Sequence, residues 1–528
     1  MKPFCVIAVL ALPFVQPGIA ATCESLAASA LPRTAIAVAE SRSAGEFTTA
    51  GIKPIGNLPA FCRIAGSIKP SSDSDIRFEV WLPASGWNGK FQGIGNGGYA
   101  GSISFAGLAD AIRNGYASAS TDTGHQDNGT SAAWALDHPE KIMDFGYRAI
   151  HETAIAAKVL IRAFYGEAPK RSYFNSCSNG GRQALMEAQR YPGDYDGIVA
   201  GAPANYWTHL LSAAASGVVA TLAEPASYIP AAKLPAIEAA ALAQCDVLDG
   251  VKDGVIENPQ SCHFDPSVLL CKDADSNSCL TVQQLSALKS IYGGLRSNKG
   301  RQIFPGPSPG GEAEPGGWAP WITGDAPEKS AMYAYSTQFF KNMVYNNPGW
   351  QFRTFDPDRD VKAADERMSQ YLNSTEPDLS AFETRGGKLI LFHGWADAAI
   401  PAENAIDYYD SVIAKMGAGK AGSFVRLFMV PGMEHCGGGA GPNAFGQGGT
   451  PNGDRFHSID AALEAWVESG NAPEQIIAPE QIIATKYKVN VDPKSGVART
   501  RPLCAWPKVA KYKGSGSSDD AANFVCAN

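Results

Sequence analysis

Two kinds of hydrophobic pattern alternate along the chain. Apolar side chains at every second position predict a half-buried strand at 76–82, and short apolar runs predict strands at 91–94, 116–121 and 197–200. Apolar side chains at helical spacing predict an amphipathic helix at 147–165. Strands that alternate with helices in this way favour an α/β fold with a parallel sheet.

The same alternation returns near the carboxyl end of the chain. The predicted elements are a buried strand and its loop at 388–397, a helix at 402–415, a strand at 425–430 and a helix at 458–468. Beyond the last helix the pattern predicts an irregular tail. We therefore expect residues 22–205 and 381–528 to form one α/β core together.

The composition changes between these two parts. Residues 206–380 are first rich in Ala, then in Pro, Gly, Trp and Tyr, and they contain two close pairs of cysteines. This change predicts a large inserted lid domain on the α/β core. Some lid aromatic residues could contact an aromatic ligand or equally form the core of the lid: Trp318, Trp321, Tyr333, Tyr335, Phe339 and Phe340.

Size, charge and the amino-terminal segment narrow the class of protein. The chain has 528 residues, 45% of them hydrophobic, which is enough for a large core and more than one domain. A formal net charge of -8 without a Lys/Arg-rich run argues against a nucleic-acid partner. Residues 1–21 combine Lys2 with an apolar run and small residues, which predicts a signal peptide. That run is too short to span a bilayer and no later segment is apolar enough, so we expect no membrane contact.

Cysteine usage points to an oxidising compartment. Removal of Cys5 with the signal peptide leaves an even number, which predicts five disulfides and a secreted or periplasmic protein. Free buried thiols are the less favoured alternative, and the absence of a C-x-x-C pair argues against zinc. The remaining cysteines are Cys23, Cys62, Cys177, Cys245, Cys262, Cys271, Cys279, Cys436, Cys504 and Cys526.

One serine lies where a predicted strand turns sharply into a helix. The strand-like run ends at Cys177 and the helix-compatible run begins at Gln183, so the geometry around Ser178 is that of a nucleophile elbow. The free N–H groups that open the helix favour negative charge there. The G-x-S-x-G spelling is only partly met, because Ser176 replaces the first Gly while Gly180 fills the second. The same residues also fit an ordinary turn, so other parts of the sequence must show whether Ser178 is catalytic.

A glycine-rich loop, residues 95–99, follows the predicted strand at 91–94. An acyl-transfer enzyme of this architecture places one backbone oxyanion donor in such a loop, because Gly lets the substrate approach the N–H closely. A flexible turn is the alternative. Asp122 and His125 lie before the elbow in the chain, and we expect them to be structural.

Two further residues complete a catalytic order. Asp397 and His435 each follow a predicted strand, and the order Ser178, Asp397, His435 is that of α/β-hydrolases. In that chemistry the histidine takes the serine proton, and the aspartate holds the imidazole in the right tautomer. Cys177 precedes the serine and Cys436 follows the histidine. A disulfide sets two Cα atoms roughly 5.5 Å apart, so a bridge between them would bring nucleophile and base together, unless the adjacency is a coincidence.

On these residues the sequence resembles the tannase and feruloyl esterase family, serine hydrolases with a paired Cys-Ser and His-Cys active site. The matching stretches are residues 177–182, 195–203, 393–397 and 431–436. Together with 87–89 and the cysteine positions they cover nearly the whole mature chain. Ser176 stands where the family usually has Gly, which is a small departure.

The resemblance also implies details of the site. It implies the backbone N–H groups of Gly98 and Asn179 as oxyanion donors. It further implies four disulfides beside the one at the active site: Cys23–Cys62, Cys245–Cys262, Cys271–Cys279 and Cys504–Cys526.

A structural calcium ion in the lid is implied as well. The segment 246–255 fits it, with the carboxylates of Asp246, Asp249 and Asp253 and the backbone carbonyls of Val251 and Val255. Oxygen donors of this kind suit a hard cation such as Ca²⁺. The spacing is not that of an EF-hand, and Asp-Gly turns would account for these residues equally well.

We therefore expect a serine esterase that cleaves small esters of aromatic carboxylic acids, of the feruloyl or galloyl type, through an acyl-enzyme. Terephthalate monoesters are a further candidate substrate. They would require a lid cation for the free carboxylate, and the sequence does not locate one. A serine carboxypeptidase-like hydrolase shares the catalytic order. A non-catalytic, calcium-stabilised protein that binds polyphenols or carbohydrates would retain ligand without turnover.

Overall fold

A computed structural model describes residues 21–447, 454–473, 482–485 and 500–528. The predicted signal peptide, apart from its last residue, lies outside the described residues. Within them no single helix is long and apolar enough to cross a membrane, although a bent pair, Trp207–Leu222 with Pro225–Asp249, passes the same test of length and composition together.

A mixed sheet of nine strands organises the described chain. The strands are β1 (Thr34–Arg42), β2 (Phe61–Ile68), β3 (Ile76–Pro83), β4 (Lys90–Ile94), β5 (Ala117–Thr121), β6 (Arg171–Cys177), β7 (Gly197–Gly201), β8 (Lys388–Gly394) and β9 (Val425–Val430). Their order across the sheet is β1-β2-β3-β5-β4-β6-β7-β8-β9. Neighbours from β5 to β9 are parallel, whereas those from β1 to β5 are antiparallel.

The predicted parallel sheet is therefore correct only for the part that includes β4 to β9. At the other edge the prediction is wrong. Residues 69–75 are the whole connection between β2 and β3, and a parallel crossover needs a dozen residues or more.

Helices cover both faces of the sheet or lie between its strands in the chain. They are α1 (Phe105–Arg113), α2 (Pro139–Met143), α3 (Ala149–Tyr165), α4 (Asn179–Arg190), α5 (Trp207–Leu222), α6 (Leu234–Cys245), α7 (Val282–Gly293), α8 (Ala331–Gln338), α9 (Pro357–Leu372), α10 (Ser380–Thr384), α11 (Glu403–Met416), α12 (Ala418–Ala421) and α13 (Ile459–Ser469). Their bounds confirm the predicted helices within two residues, except that α4 starts before Gln183 because Gly180 and Gly181 belong to its first turn.

The prediction of an irregular tail is wrong for the parts of the tail that the structure describes. Strand Thr500–Leu503 pairs with Ile482–Thr485, and Val509–Tyr512 pairs with Phe524–Ala527. Each of these strands has four residues, which is too short for a clear alternation of apolar and polar positions. The Cys504–Cys526 disulfide joins the second of these pairs to the residue that follows Leu503.

A long segment, residues 202–387, connects β7 to β8, although these two strands are neighbours in the sheet. It contains α5 to α10 and a small hairpin, Leu295–Arg296 with Gln302–Phe304. Some of its buried side chains share a cluster with Tyr99 and Ile400 from the flanking parts of the chain, and others share a second cluster with Ala398. This packing holds the segment against the rest of the molecule. The interpretation of residues 206–380 as a separate lid domain stays a prediction.

Candidate active site

The turn between β6 and α4 has the geometry of a nucleophile elbow. Ser178 lies between the two elements with φ 68° and ψ -126°, a conformation that non-glycine residues rarely adopt. A side chain at Gly180 would collide with Ser176, and one at Gly181 would collide with the carbonyl oxygen of Gly201. The glycines therefore let β6 and α4 meet at this sharp angle.

The elbow serine lies in a continuous chain of hydrogen bonds. The Ser178 hydroxyl donates to Nε2 of His435 over 2.9 Å. Nδ1–H of His435 then donates to Oδ2 of Asp397, also over 2.9 Å. The structure thus brings together the three residues that the sequence predicts as partners, although they lie far apart in the chain.

Asp397 is fully buried and strongly hydrogen-bonded. Its Oδ1 accepts the backbone N–H groups of Ala399 and Ile400 at 2.8 and 2.9 Å. Burial opposes ionisation of Asp397, but the charge of His435 and hydrogen bonds from His393 and His435 outweigh it and hold the pKa of Asp397 well below its ordinary value. The carboxylate is therefore ionised at neutral pH and can orient the imidazole.

His393 is a residue of this site that the sequence analysis did not assign. It is completely buried four positions before Asp397, and its Nε2 lies 3.2 Å from Oδ2 of Asp397 and 2.9 Å from the carbonyl oxygen of Ile400. The i,i+4 spacing in the matched stretch was a signal for it. His393 and His435 thus contact the same carboxylate oxygen of Asp397.

The disulfide at the active site is confirmed. Cys177 and Cys436 are bonded with their Cα atoms 6.0 Å apart, so the bridge directly flanks both Ser178 and His435. The other four predicted pairs are also present: Cys23–Cys62, Cys245–Cys262, Cys271–Cys279 and Cys504–Cys526.

Two backbone N–H groups are available beside the serine. Asn179 is the first residue of α4, so its N–H has no intrahelical acceptor. Gly98 lies in the loop after β4 with φ 56°, and a side chain there would collide with the carbonyl oxygen of Gly129. Both residues line the same cavity as Ser178, and the role of their N–H groups as oxyanion donors stays a prediction.

A cavity of about 340 Å³ opens in front of the serine and the histidine. Trp321 and Tyr335, which the sequence left undecided, face it, whereas Trp318, Phe339 and Phe340 are buried in packing clusters. Further lining residues were not foreseen, because helix periodicity marks a buried face without showing what it faces: Ala204, Trp207, Leu210, Leu211, Met332, Ala399 and Ile400.

The predicted calcium loop is a tight acidic turn. Both oxygens of the buried Asp246 accept backbone N–H groups, from Asp253 and Gly254 at 3.0 Å. Burial raises the pKa of Asp249 to about 6, and the charges of Asp253 and Asp246 act in the same direction. Neighbouring carboxylates and oxygen donors of this kind would favour a hard cation, and the calcium site stays a prediction.

Two neighbours modify this picture. Glu257 is buried, and its pKa is raised to about 8 by burial and by the charges of Asp249 and Asp253. Arg501 forms an ion pair with Asp253. In the described chain the three predicted aspartates do not each place an oxygen within 4.8 Å of the other two, so the fit rests on donor chemistry and charge. The sequence analysis did not include Glu257, because this residue lies two positions beyond the predicted segment 246–255.

A serine, histidine and aspartate hydrogen-bonded in this order at strand ends define a serine hydrolase. Comparison with known proteins agrees with this class. The family profile described as "Tannase and feruloyl esterase" matches residues 62–527. The chain belongs to this family and is a carboxylic ester hydrolase of the feruloyl esterase and tannase type.

Individual relatives extend over nearly the whole chain. An uncharacterized esterase of Xanthomonas campestris is 43% identical and covers 96% of this chain and 91% of the relative. A probable feruloyl esterase B-2 of Aspergillus flavus is 38% identical over 84% and 83% of the two chains. The crystal structure of feruloyl esterase B from Aspergillus oryzae superposes with a TM-score of 0.86 at 30% identity, covering 96% of this chain and 99% of the other. The carboxypeptidase-like and non-catalytic alternatives are not favoured by these relatives.

Proposed function

We propose that the protein is a secreted or periplasmic serine esterase that cleaves esters of aromatic carboxylic acids through an acyl-enzyme. The observation that carries this proposal is the hydrogen-bonded chain Ser178–His435–Asp397 at the mouth of an apolar cavity that contains Trp321 and Tyr335. Relatives described as feruloyl esterases support the aromatic acid as the acyl part.

In the first half-reaction, the Ser178 oxygen attacks the ester carbonyl carbon while His435 accepts the hydroxyl proton. The carbonyl oxygen becomes an oxyanion, which the N–H groups of Gly98 and Asn179 stabilise. The tetrahedral intermediate then breaks the bond to the alkoxy oxygen. His435 returns the proton to that oxygen, the alcohol leaves, and the acyl group stays on Ser178.

In the second half-reaction a water molecule takes the place of the alcohol. His435 removes its proton, the hydroxide oxygen attacks the acyl carbon, and the same two N–H groups stabilise the second oxyanion. Collapse releases the carboxylic acid and returns the proton to Ser178. Asp397 remains ionised throughout and holds the imidazole in the productive tautomer.

The segment 206–380 acts in this proposal as a lid that covers the cavity, because α5 and α8 contribute Leu210, Met332 and Tyr335 to its wall. A calcium ion held in the 246–255 loop stabilises the lid. Five disulfides support export to an oxidising compartment.

Hydrolysis of methyl cinnamate, methyl ferulate and methyl hexanoate by purified enzyme tests the proposal. We expect turnover of the aromatic esters, and loss of at least ~10⁴-fold in kcat for Ser178→Ala and for His435→Ala. His138→Ala is the control, because it removes another histidine with a similar His–Asp contact, 2.8 Å to Asp73, and neither residue lines the cavity. Near-normal activity of either site variant, or turnover of the aliphatic ester alone, would contradict the proposal.

A peptide assay distinguishes the proposed esterase from a carboxypeptidase-like hydrolase. Blocked dipeptides with a free carboxyl terminus should remain uncleaved under conditions that hydrolyse methyl cinnamate.

A further inference from the structure

Three side chains that can bind a metal ion lie together outside the catalytic site. His151 belongs to α3, Glu187 to the last turn of α4, and Asp194 to the turn that precedes β7. Each places one ligand atom within 4.8 Å of the ligand atoms of the other two. In the described chain one other group is as compact, but it contains Cys271 and Cys279, which are bonded to each other and so offer no thiolate.

Glu187 is the buried member of the three. Its side chain is 1% exposed, and neither carboxyl oxygen has a hydrogen-bond partner in the part of the chain that the structure describes. Burial raises the pKa of Glu187 well above its ordinary value, Asp194 adds to the shift, and the charge of Lys158 opposes it without reversing it. A buried carboxylate without a donor is costly. Either a proton or a metal ion between Glu187 and Asp194 would remove this cost.

The imidazole of His151 distinguishes these two possibilities. Its ring stacks on Tyr191 with centroids 3.7 Å apart and an interplanar angle of 8°, which fixes its orientation. Its Nδ1 lies 2.6 Å from Oδ2 of Asp194. A proton shared by two carboxyl groups needs no third ligand, whereas one imidazole nitrogen and two carboxylates form a donor set that Zn²⁺ binds. Tetrahedral zinc ligands lie about 3.3 Å apart, so this pair of atoms would open by less than ~1 Å.

The surroundings of the three ligands are suitable for an ion. The side chains of His151 and Asp194 are 24% and 14% exposed, which leaves a path from solvent and room for a water ligand. The ammonium of Lys158 donates to the backbone carbonyl of Asp194 and lies 4.0 Å from its Oδ1, so it holds the turn in place. Its positive charge opposes a cation, whereas the nearby charge of Asp196 and the C-terminal end of α4 favour one.

We propose that His151, Glu187 and Asp194 bind one Zn²⁺ ion, with a water molecule as the fourth ligand. The ion links α3, the last turn of α4 and the turn before β7, and it thereby clamps the helix that begins at the nucleophile elbow. Glu187 lies eight residues after Asn179, about 12 Å along the helix axis. The ion therefore stabilises the fold and takes no part in the ester chemistry, and it shares no residue with the predicted calcium loop.

Zn²⁺ alone is the probe, added to chelator-treated wild-type protein in excess Ca²⁺ so that any calcium site is already filled. Isothermal titration calorimetry should detect one zinc ion per chain that depends on Glu187. At a hundredfold excess over its Kd, Zn²⁺ should raise Tm by about 2–3 °C for a chain of this length. Mg²⁺, which prefers oxygen ligands and keeps its water, should leave Tm unchanged.

Glu187→Gln separates the metal from the shared proton. Glutamine resembles the protonated acid, so the metal-free variant should be folded by circular dichroism and melt at or above the wild-type Tm. Its affinity for Zn²⁺ should fall at least ~10-fold, because loss of a ligand costs no less than loss of an outer partner. His151→Gln should weaken Zn²⁺ binding similarly.

His138→Gln is the matched control. His138 also contacts an aspartate, Asp73, over 2.8 Å, but within the described residues no third His, Cys, Asp or Glu completes a compact group there. This variant should keep the wild-type zinc stoichiometry and the wild-type Tm shift.

The outcomes are distinguishable. Equal zinc stoichiometry and equal Tm response in wild type and Glu187→Gln would overturn the proposal, because a proton shared with Asp194 would then explain the buried acid. A zinc response kept in His151→Gln would also overturn it. Anomalous diffraction from a zinc-soaked crystal supports the site if the peak lies about 2.0–2.2 Å from atoms of all three ligands, and contradicts it if peaks lie only at other histidines.

Discussion

A single carboxyl group beside the active-site histidine has an unusual environment. Glu434 is buried, and this burial, reinforced by the charge of Glu314, raises the pKa of Glu434 to about 8, while a hydrogen bond from the backbone of Gly316 opposes the shift. Its Oε1 has no hydrogen-bond partner in the described residues. At neutral pH this side chain is therefore protonated in the folded enzyme.

This shift predicts a loss of stability with rising pH. In the unfolded chain Glu434 ionises near pH 4.5, so between about 4.5 and 8 the folded state binds more protons, and the free energy of unfolding falls as pH rises through that interval. Glu434→Gln resembles the protonated form and does not titrate. The variant should match wild type near pH 4.5 and melt ~2–5 °C higher at pH 8 to 9.

Differential scanning fluorimetry from pH 4.5 to 9 measures the effect. A Tm difference between wild type and Glu434→Gln that stays constant across this pH range would contradict the raised pKa of Glu434. Glu366→Gln is the control, because that glutamate is exposed on α9.

At the scale of elements, the loop after β4 is tied to helix α8 by one buried tyrosine. The Tyr99 hydroxyl donates to the backbone carbonyl of Tyr335 over 2.8 Å. Its own backbone N–H donates to Gly129, and its carbonyl oxygen lies 2.8 Å from Nε2 of His125. These bonds hold the neighbouring Gly98, and they give His125 the structural position that the sequence favoured.

Tyr99→Phe should therefore lower kcat by roughly 10-fold with little change in KM. The variant keeps the ring and loses only the bond to α8, so the Gly98 N–H would be less well aimed at the oxyanion, an interaction made in the transition state. Tyr165→Phe is a matched control, because its hydroxyl also donates to a backbone carbonyl over 2.8 Å, that of Pro83, away from the site. Equal effects of the two substitutions, or a change confined to KM, would show that Tyr99 does not position the donor.

The acidic loop at 246–255 gives a prediction for metal removal. Ca²⁺ bound only to the folded state adds ~2.7 kcal/mol of stability at a hundredfold excess over its Kd. A chelator should lower Tm, and added Ca²⁺ should restore it, while kcat on methyl cinnamate at 25 °C changes less than ~2-fold. Asp249→Asn should remove the calcium-dependent Tm shift, and Asp325→Asn, an exposed acid in the same segment, should keep it.

Elemental analysis of the purified enzyme provides the decisive measurement for this site. Protein without bound calcium, or an Asp249→Asn variant with an unchanged Ca²⁺-dependent shift, would exclude the assignment.

At the scale of the whole molecule, one covalent link joins parts of the chain 259 residues apart. Cys177–Cys436 flanks the nucleophile on β6 and the base after β9. Chain-entropy arguments allow a stabilisation of up to ~5 kcal/mol for so long a loop, although measured values are often smaller. Its local effect is larger, because a displacement of about 1 Å between reacting groups can cost roughly 100-fold in rate.

A Cys177→Ala/Cys436→Ala variant should lose about 100-fold in kcat even where circular dichroism shows it folded. Removing Cys271–Cys279, which closes a loop of separation 8 in the connecting segment, should mainly lower Tm. Full activity of the folded first variant would show that packing alone holds Ser178 against His435.

The sequence by itself determined the features that short-range rules control. Hydrophobic periodicity located the strands of the parallel part and helices α3, α11 and α13 within about two residues, because each element buries one face and repeats at its own period. Ser178, Asp397 and His435 were identified because each lies at the end of a predicted strand. The two flanking cysteines gave the one long-range restraint that the sequence contains. The family resemblance supplied the remaining disulfide pairs, which the structure confirms.

Tertiary structure alone decided what depends on which surfaces meet. The antiparallel edge follows from connection length combined with available partners, and the four-residue strands of the tail became visible only through their pairing. Periodicity showed that α5 and α8 have apolar faces, but not that Leu210 and Met332 face the serine whereas Phe339 and Phe340 face other helices. The environments of Glu434, Glu257 and His393 likewise come from groups far away in the chain, since burial and charge depend on distance in space.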